Sequence, residues 1–155
     1  MAMVVVLPLL AGCDGLLGGN KPKPPPLALA GTGMDMFAPR TVRLHPLTRI
    51  TTEEGKSVIE AHVECVDQFG DTTKTVGILA FDLWSPTLLS ARGNLLEHWE
   101  LSLDLPKENK DRWDSITRTY VIKHPLPAGT GVPLELGVTL TLANGEKLAG
   151  EFSFK

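Results

Sequence analysis

Histidine and glutamate side chains at alternating positions are the groups in this sequence best suited to chemistry. Glu60, His62 and Glu64 alternate in one stretch of the chain, and His98 and Glu100 alternate in another. Because alternate residues of a strand share a face, both histidines would lie on outward faces, where adjacent strands could bring them together as metal ligands. Solvated strand faces explain the same residues without a metal. We favour this second interpretation and expect no metal site and no cofactor.

Cys65 is a further candidate for reactivity, at a position that predicts burial. It continues the apolar alternation of Ile59, Ala61 and Val63. A reactive thiol needs solvent access and a positive neighbour that lowers its pKa. We therefore expect an inert thiol in the core.

Residues 106–114 read as a charged loop that offers oxygen donors for calcium. The loop contains Glu108, Asp111 and Asp114, but it also carries three cations, and its spacing is not that of a known calcium loop. The sequence has no Gly-x-Ser-x-Gly elbow, Walker loop, dinucleotide-binding glycine pattern, Cys-x-x-Cys or His-Glu-x-x-His. We therefore predict a protein that is not an enzyme.

The start of the chain predicts where the protein is located. An uncharged, mostly apolar run over residues 2–12 leads into Leu10-Ala11-Gly12-Cys13, which resembles the lipobox of bacterial lipoproteins. The run is too short to cross a bilayer core of about 30 Å. The resemblance implies that residues 1–12 are a signal peptide and that the Cys13 thiol receives a lipid. The lipid would anchor the protein to a membrane of the bacterial envelope, facing the periplasm or the exterior.

Residues 13–40 predict a flexible tether, and residues 41–155 a single domain. The tether is rich in proline and glycine and has no period that could bury a face. The formal net charge is −3 without a basic patch, so nucleic acid is not an expected partner. The expected partners are the membrane, through the lipid anchor, and another envelope protein or polymer.

Alternating apolar residues from Thr41 onward predict an all-β domain. About seven strands with turn signals between them fit an antiparallel two-sheet sandwich of immunoglobulin-like or transthyretin-like kind. The Cys-Trp-Cys pattern of antibody domains is absent, so the likeness concerns architecture alone. The expected strands lie near residues 41–52, 56–67, 75–84, 98–105, 116–123, 134–142 and 148–154.

Three local features add detail to this prediction. Strand 75–84 is apolar on both sides, which predicts a central strand covered on both faces. Residues 85–93 could form a helix of one or two turns, because Ser85 can cap it and Pro86 suits its first position. In the last hairpin, a two-residue turn would pair an apolar position with a polar one. We therefore predict a three-residue loop over 143–145, with its glycine in the left-handed conformation.

Five apolar residues in predicted loops form the candidate partner surface: Leu88, Leu89, Leu95, Leu96 and Trp113. An exposed group of leucines is unusual on a soluble monomer, and loops are where a rigid sandwich presents binding residues. The alternative is that these residues plug the ends of the sandwich. We hypothesise a non-catalytic binding or structural module. The alternative function is a hydrolase or small-ligand carrier whose site is built from loops.

Overall fold

A computed structural model describes residues 35–87 and 90–155 of the chain. This part contains nine strands, where the sequence predicted about seven. The predicted strand over 41–52 is divided in two around Pro46, and a two-residue strand precedes the predicted strand at 116–123. The elements are a 3-10 turn Asp35–Phe37, β1 Thr41–Leu44, β2 Arg49–Glu53, β3 Lys56–Val66, β4 Ile78–Thr87, β5 Ser90–Ser102, α1 Pro106–Arg112, β6 Trp113–Asp114, β7 Thr119–Pro125, β8 Leu134–Thr141 and β9 Lys147–Phe154.

The strands form two antiparallel sheets. In the five-stranded sheet, β1 and β2 lie along one edge of β3, while β7 pairs with its other edge and is followed by β6. The four-stranded sheet has the order β5-β4-β8-β9. The predicted all-β, two-sheet antiparallel sandwich is therefore confirmed.

The core consists of the inner faces of the two sheets, as the alternation predicted. On β3, Ile59, Ala61, Val63 and Cys65 are fully buried. Burying apolar area of this kind is the main force that holds two sheets together. Fully buried partners from the second sheet are Leu79, Phe81, Leu83, Leu136 and Leu140.

The two open sides of the sandwich are closed in different ways. On one side β9 lies so close to β1 that a Cβ atom at Gly150 would be 2.7 Å from the carbonyl oxygen of Val42. On the other side Trp99 of β5 stacks on His124 of β7, with ring centroids 4.0 Å apart. Glycine is thus needed where two backbones meet.

The predicted short helix over residues 85–93 is wrong, because β4 and β5 form one long hairpin instead. Their pairing continues as far as Thr87 opposite Ser90. Pro86 is accommodated where the register shifts, between Ser85 and Thr87, a place where a missing N–H does not break the ladder. The predicted coverage of β4 on both faces is also wrong, since Ile78 on its outer face is partly exposed.

The predicted charged loop over 106–114 is a helix, α1, followed by β6. Pro106 occupies its first turn, and Lys107 pairs with Asp111 four residues later at 2.8 Å. The Asn109 amide nitrogen donates to the carbonyl oxygens of Thr75 and Leu103. Tertiary hydrogen bonds therefore hold a helix too short to be stable alone. Asp111 is already paired with a cation, which opposes the calcium interpretation.

The predicted register of the last hairpin is confirmed. Leu140 faces Leu148 and Leu136 faces Phe152. The loop has three residues, and Gly145 has a φ of 83°, which a glycine adopts without strain. The requirement that apolar positions of β8 pair with apolar positions of β9 was therefore enough to predict the loop length.

Candidate functional site

An irregularity in β5 turns two consecutive leucines toward solvent. Leu83 pairs with Glu97, but the next residue, Trp84, pairs with Leu95, so Leu96 is an extra residue on β5. Such a bulge disturbs the strict inside-outside alternation of a strand. Leu95 is 56% exposed and Leu96 40%. Both belong to the edge strand of the four-stranded sheet.

Trp84 extends this apolar area across the outer face of the sheet. It is the cross-strand partner of Leu95 and is partly exposed. Its ring lies against the backbone of β8, where a Cβ atom at Gly137 would be 2.7 Å from the ring. We call Trp84, Leu95 and Leu96 the bulge surface. Sequence reasoning missed Trp84, although the lone glycine within the Leu-Val alternation of β8 was a signal of close approach.

The other predicted partner residues are not brought to this surface. Leu88 and Leu89 lie outside the described residues. Trp113 packs edge-on against Tyr120 at a centroid distance of 5.1 Å, and the Tyr120 hydroxyl bonds to Thr75, which precedes β4. The bulge surface lies near the other end of β4. Trp84 is six residues beyond Ile78, the first residue of β4, which corresponds to about 20 Å along the strand. Trp113 is therefore part of the packing at the opposite end.

The outer face of β3 is not solvated as predicted. Glu60, His62 and Glu64 are each less than a tenth exposed. Arg49 covers Glu60 with an N–O distance of 2.6 Å, and Arg43 covers Glu64 at 2.7 Å. The long arginine side chains cover the carboxylates, while their own guanidinium groups stay exposed to solvent. A period-2 pattern cannot report this, because it shows only which face a residue is on.

These contacts shift the acid-base properties of both glutamates in the same direction. The hydrogen bond from Arg43 is the main reason that the pKa of Glu64 lies below its usual range. Burial, the largest influence on Glu60, raises its pKa, but hydrogen bonds and charges from His62 and Arg49 together bring it below the usual value. Both side chains therefore act as ionised partners of arginines.

The two histidines considered as metal ligands are on different sheets. His62 of β3 bonds to the Thr119 hydroxyl at 3.0 Å, and His98 of β5 bonds to Asp82 at 2.7 Å, which raises the pKa of His98. Within residues 35–87 and 90–155 no group of three or more histidine, cysteine, aspartate or glutamate side chains is arranged to hold a metal ion. The approach of His62 to His98 on adjacent strands is thus wrong.

Cys65 is buried and unpaired, as predicted. Burial, with a smaller contribution from the charge of Glu64, raises the pKa of its thiol to about 12. The thiolate, which is the nucleophilic form, is therefore scarce at neutral pH.

None of the helices among the described residues is long and apolar enough to span a membrane. No protein-family model matches the chain, and no curated protein or solved structure is significantly similar to it.

Proposed function

We propose that this protein is a lipid-anchored, non-catalytic binding module of the bacterial envelope. The lipid would be attached at Cys13, and the residues between Cys13 and the 3-10 turn Asp35–Phe37 would tether the sandwich to the membrane. The last residues of the predicted tether, 35–40, instead contact the sandwich, where the Phe37 carbonyl oxygen accepts a hydrogen bond from Thr73 and the Arg40 N–H donates to Val66. Cys13 lies outside the described residues, so the anchor rests on the likeness of Leu10-Ala11-Gly12-Cys13 to a lipobox. The partner would bind at the bulge surface.

The observation that carries the binding role is the exposure of two adjacent leucines on the edge strand β5, beside Trp84 of the neighbouring strand β4. Burying one leucine side chain contributes about 1.5–3 kcal/mol, so Leu95 and Leu96 are a costly surface to leave in water. Tryptophan is also among the residues that contribute most to protein interfaces. We propose another envelope protein as the partner. Aliphatic side chains contribute to binding chiefly by burying apolar area, and burial of apolar area drives most association between proteins.

The anchor is tested by metabolic labelling with an alkyne-tagged fatty acid. Cys13→Ser should abolish the label and leave the precursor uncleaved. Cys65→Ala is the matched control, since it removes the other cysteine of the chain and should keep the label. Equal labelling of the Cys13→Ser variant would exclude the anchor.

The surface is tested by photo-crosslinking in cells of the source organism. A photoreactive residue at position 96 should give a discrete protein adduct, and the same residue at position 47 should not. Leu47 is the control because it is 43% exposed in the turn between β1 and β2. Adding Leu95→Asp should remove the adduct with less than about 0.5 kcal/mol change in unfolding free energy, as is usual for exposed positions. An adduct that survives Leu95→Asp, or a variant that unfolds, would refute the bulge surface.

A further inference from the structure

A groove at the end of the sandwich opposite the bulge surface has a volume of about 750 Å³. Four segments that are distant in the chain form it: residues 37–39, 73–76, 103–110 and 142–144. This volume lies within the range of roughly 300–1,000 Å³ that is usual for small-molecule sites. We call it the end groove.

The lining of the end groove is largely apolar. Leu103 is fully buried, whereas Phe37 and Val76 are more than half exposed. Leu142 and Pro106 contribute further apolar surface. Such a lining favours a ligand with an extended hydrocarbon part.

The uncharged polar groups of the lining are already engaged within the protein. The Thr73 hydroxyl donates to the carbonyl oxygen of Phe37 at 3.0 Å, and the Thr75 hydroxyl donates to that of Val76 at 3.1 Å. The Asn109 amide nitrogen donates to Leu103 at 2.9 Å. A peptide or a sugar needs several free donors and acceptors, and the donor groups of these three side chains already bond within the protein.

The charges of the end groove favour an anion. Lys74 and Lys110 line it, and Asp104 is the one acidic residue among the described residues of the lining. Neither lysine has a carboxylate within 4.0 Å in the described part of the chain, whereas Lys107 is paired with Asp111. Asp104 accepts a hydrogen bond from the Ser102 hydroxyl at 3.0 Å. The Lys74 ammonium group is held above the Trp113 ring, 5.2 Å from its centroid.

We propose that the end groove binds the anion of a long-chain fatty acid. The carboxylate would pair with Lys74 and Lys110, and the hydrocarbon chain would cover Phe37, Val76 and Leu142. One charged group on an otherwise apolar chain matches two lysines that have no carboxylate partner among the described residues, beside a lining with few unengaged polar groups. The proposal is independent of the proposed envelope function, because it concerns a different surface.

The test is a fluorescence titration of the full-length chain with cis-parinaric acid. The protein carries Cys13→Ser so that no attached lipid competes. We expect saturable binding at one site, weakened at least about tenfold in Lys74→Gln/Lys110→Gln, because a hydrogen bond to a charged group contributes that much. Val76→Asp should abolish binding. Lys56→Gln and Ile116→Asp are matched controls at exposed positions outside the groove, and they should bind like the parent.

Three results would overturn the proposal. The methyl ester of parinaric acid should bind at least about tenfold more weakly, and equal affinity would exclude recognition of an anion. Unchanged binding in the groove variants would place the probe elsewhere on the chain. A dimer in light scattering that Val76→Asp converts to a monomer, without parinarate binding to the parent, would identify a second copy of this chain as the occupant.

Discussion

The Tyr120 hydroxyl connects three parts of the sandwich, and its removal should have a measurable cost. Tyr120 of β7 is fully buried. Its oxygen accepts a hydrogen bond from the Thr75 backbone N–H at 2.9 Å and is 3.1 Å from Asn109 Oδ1. Tyr120→Phe keeps the ring and its contact with Trp113 but removes the acceptor of a buried N–H.

The magnitude follows from which groups lose a partner. The Thr75 carbonyl oxygen keeps its bond from the Asn109 amide nitrogen. The groups that lose a partner are the Thr75 N–H, which donates to the hydroxyl, and Asn109 Oδ1, which accepts from it. A buried donor without a partner costs about 1–3 kcal/mol. We therefore expect Tyr120→Phe to lower the unfolding free energy by about 2 kcal/mol, or Tm by about 8 °C for a domain of this size.

Urea unfolding followed by tryptophan fluorescence measures this loss, with an unchanged m-value as the sign that the unfolded state is the same. Asn109→Ala and the double variant complete a cycle. Because the two side chains touch, their effects should not add, with a coupling of at least about 0.5 kcal/mol. A loss below about 0.5 kcal/mol, or strictly additive effects, would refute the role assigned to this hydroxyl.

Three further predictions follow from burial and close contact. In the Cys13→Ser protein, the Cys65 thiol, with its pKa raised to about 12 by burial, should not react with Ellman's reagent at pH 8 in the native state and should react fully in guanidinium; reaction in the native state would contradict its burial. Because Arg43 lowers the pKa of Glu64 in the folded state, the contribution of Glu64 to stability is present above its unfolded pKa of about 4.3 and is lost as the pH falls through the folded value. The stability difference between the parent and Glu64→Gln in urea unfolding should therefore shrink from pH 6 to pH 2, and a constant difference would exclude the linkage. Gly150→Ala should cost about 1–3 kcal/mol by overpacking, since its Cβ would be 2.7 Å from a β1 carbonyl oxygen, whereas Gly131→Ala, where nothing lies within 4 Å, should change the urea midpoint little; equal effects would mean that β9 can move away from β1.

Local periodicity determined the strands and their inner faces before any tertiary information. Alternation placed Ile59 and Val63 in the core, and parity set the three-residue loop of the last hairpin. These properties are readable because a side chain's face depends only on its position within its own strand. The same reasoning placed Cys65 correctly in the core.

The tertiary structure decided the features that depend on residues far apart in the chain. Arg43 and Arg49 bury the glutamates of β3 from neighbouring strands, so an outward face became a covered one. Pairing with β4 extended β5 where local signals favoured a helix, and bonds from Asn109 formed a helix where a loop was expected. The bulge surface and the end groove likewise arise from register and chain crossings. Periodicity reports which way a side chain points, whereas burial, pairing and cavities depend on what the rest of the chain places opposite it.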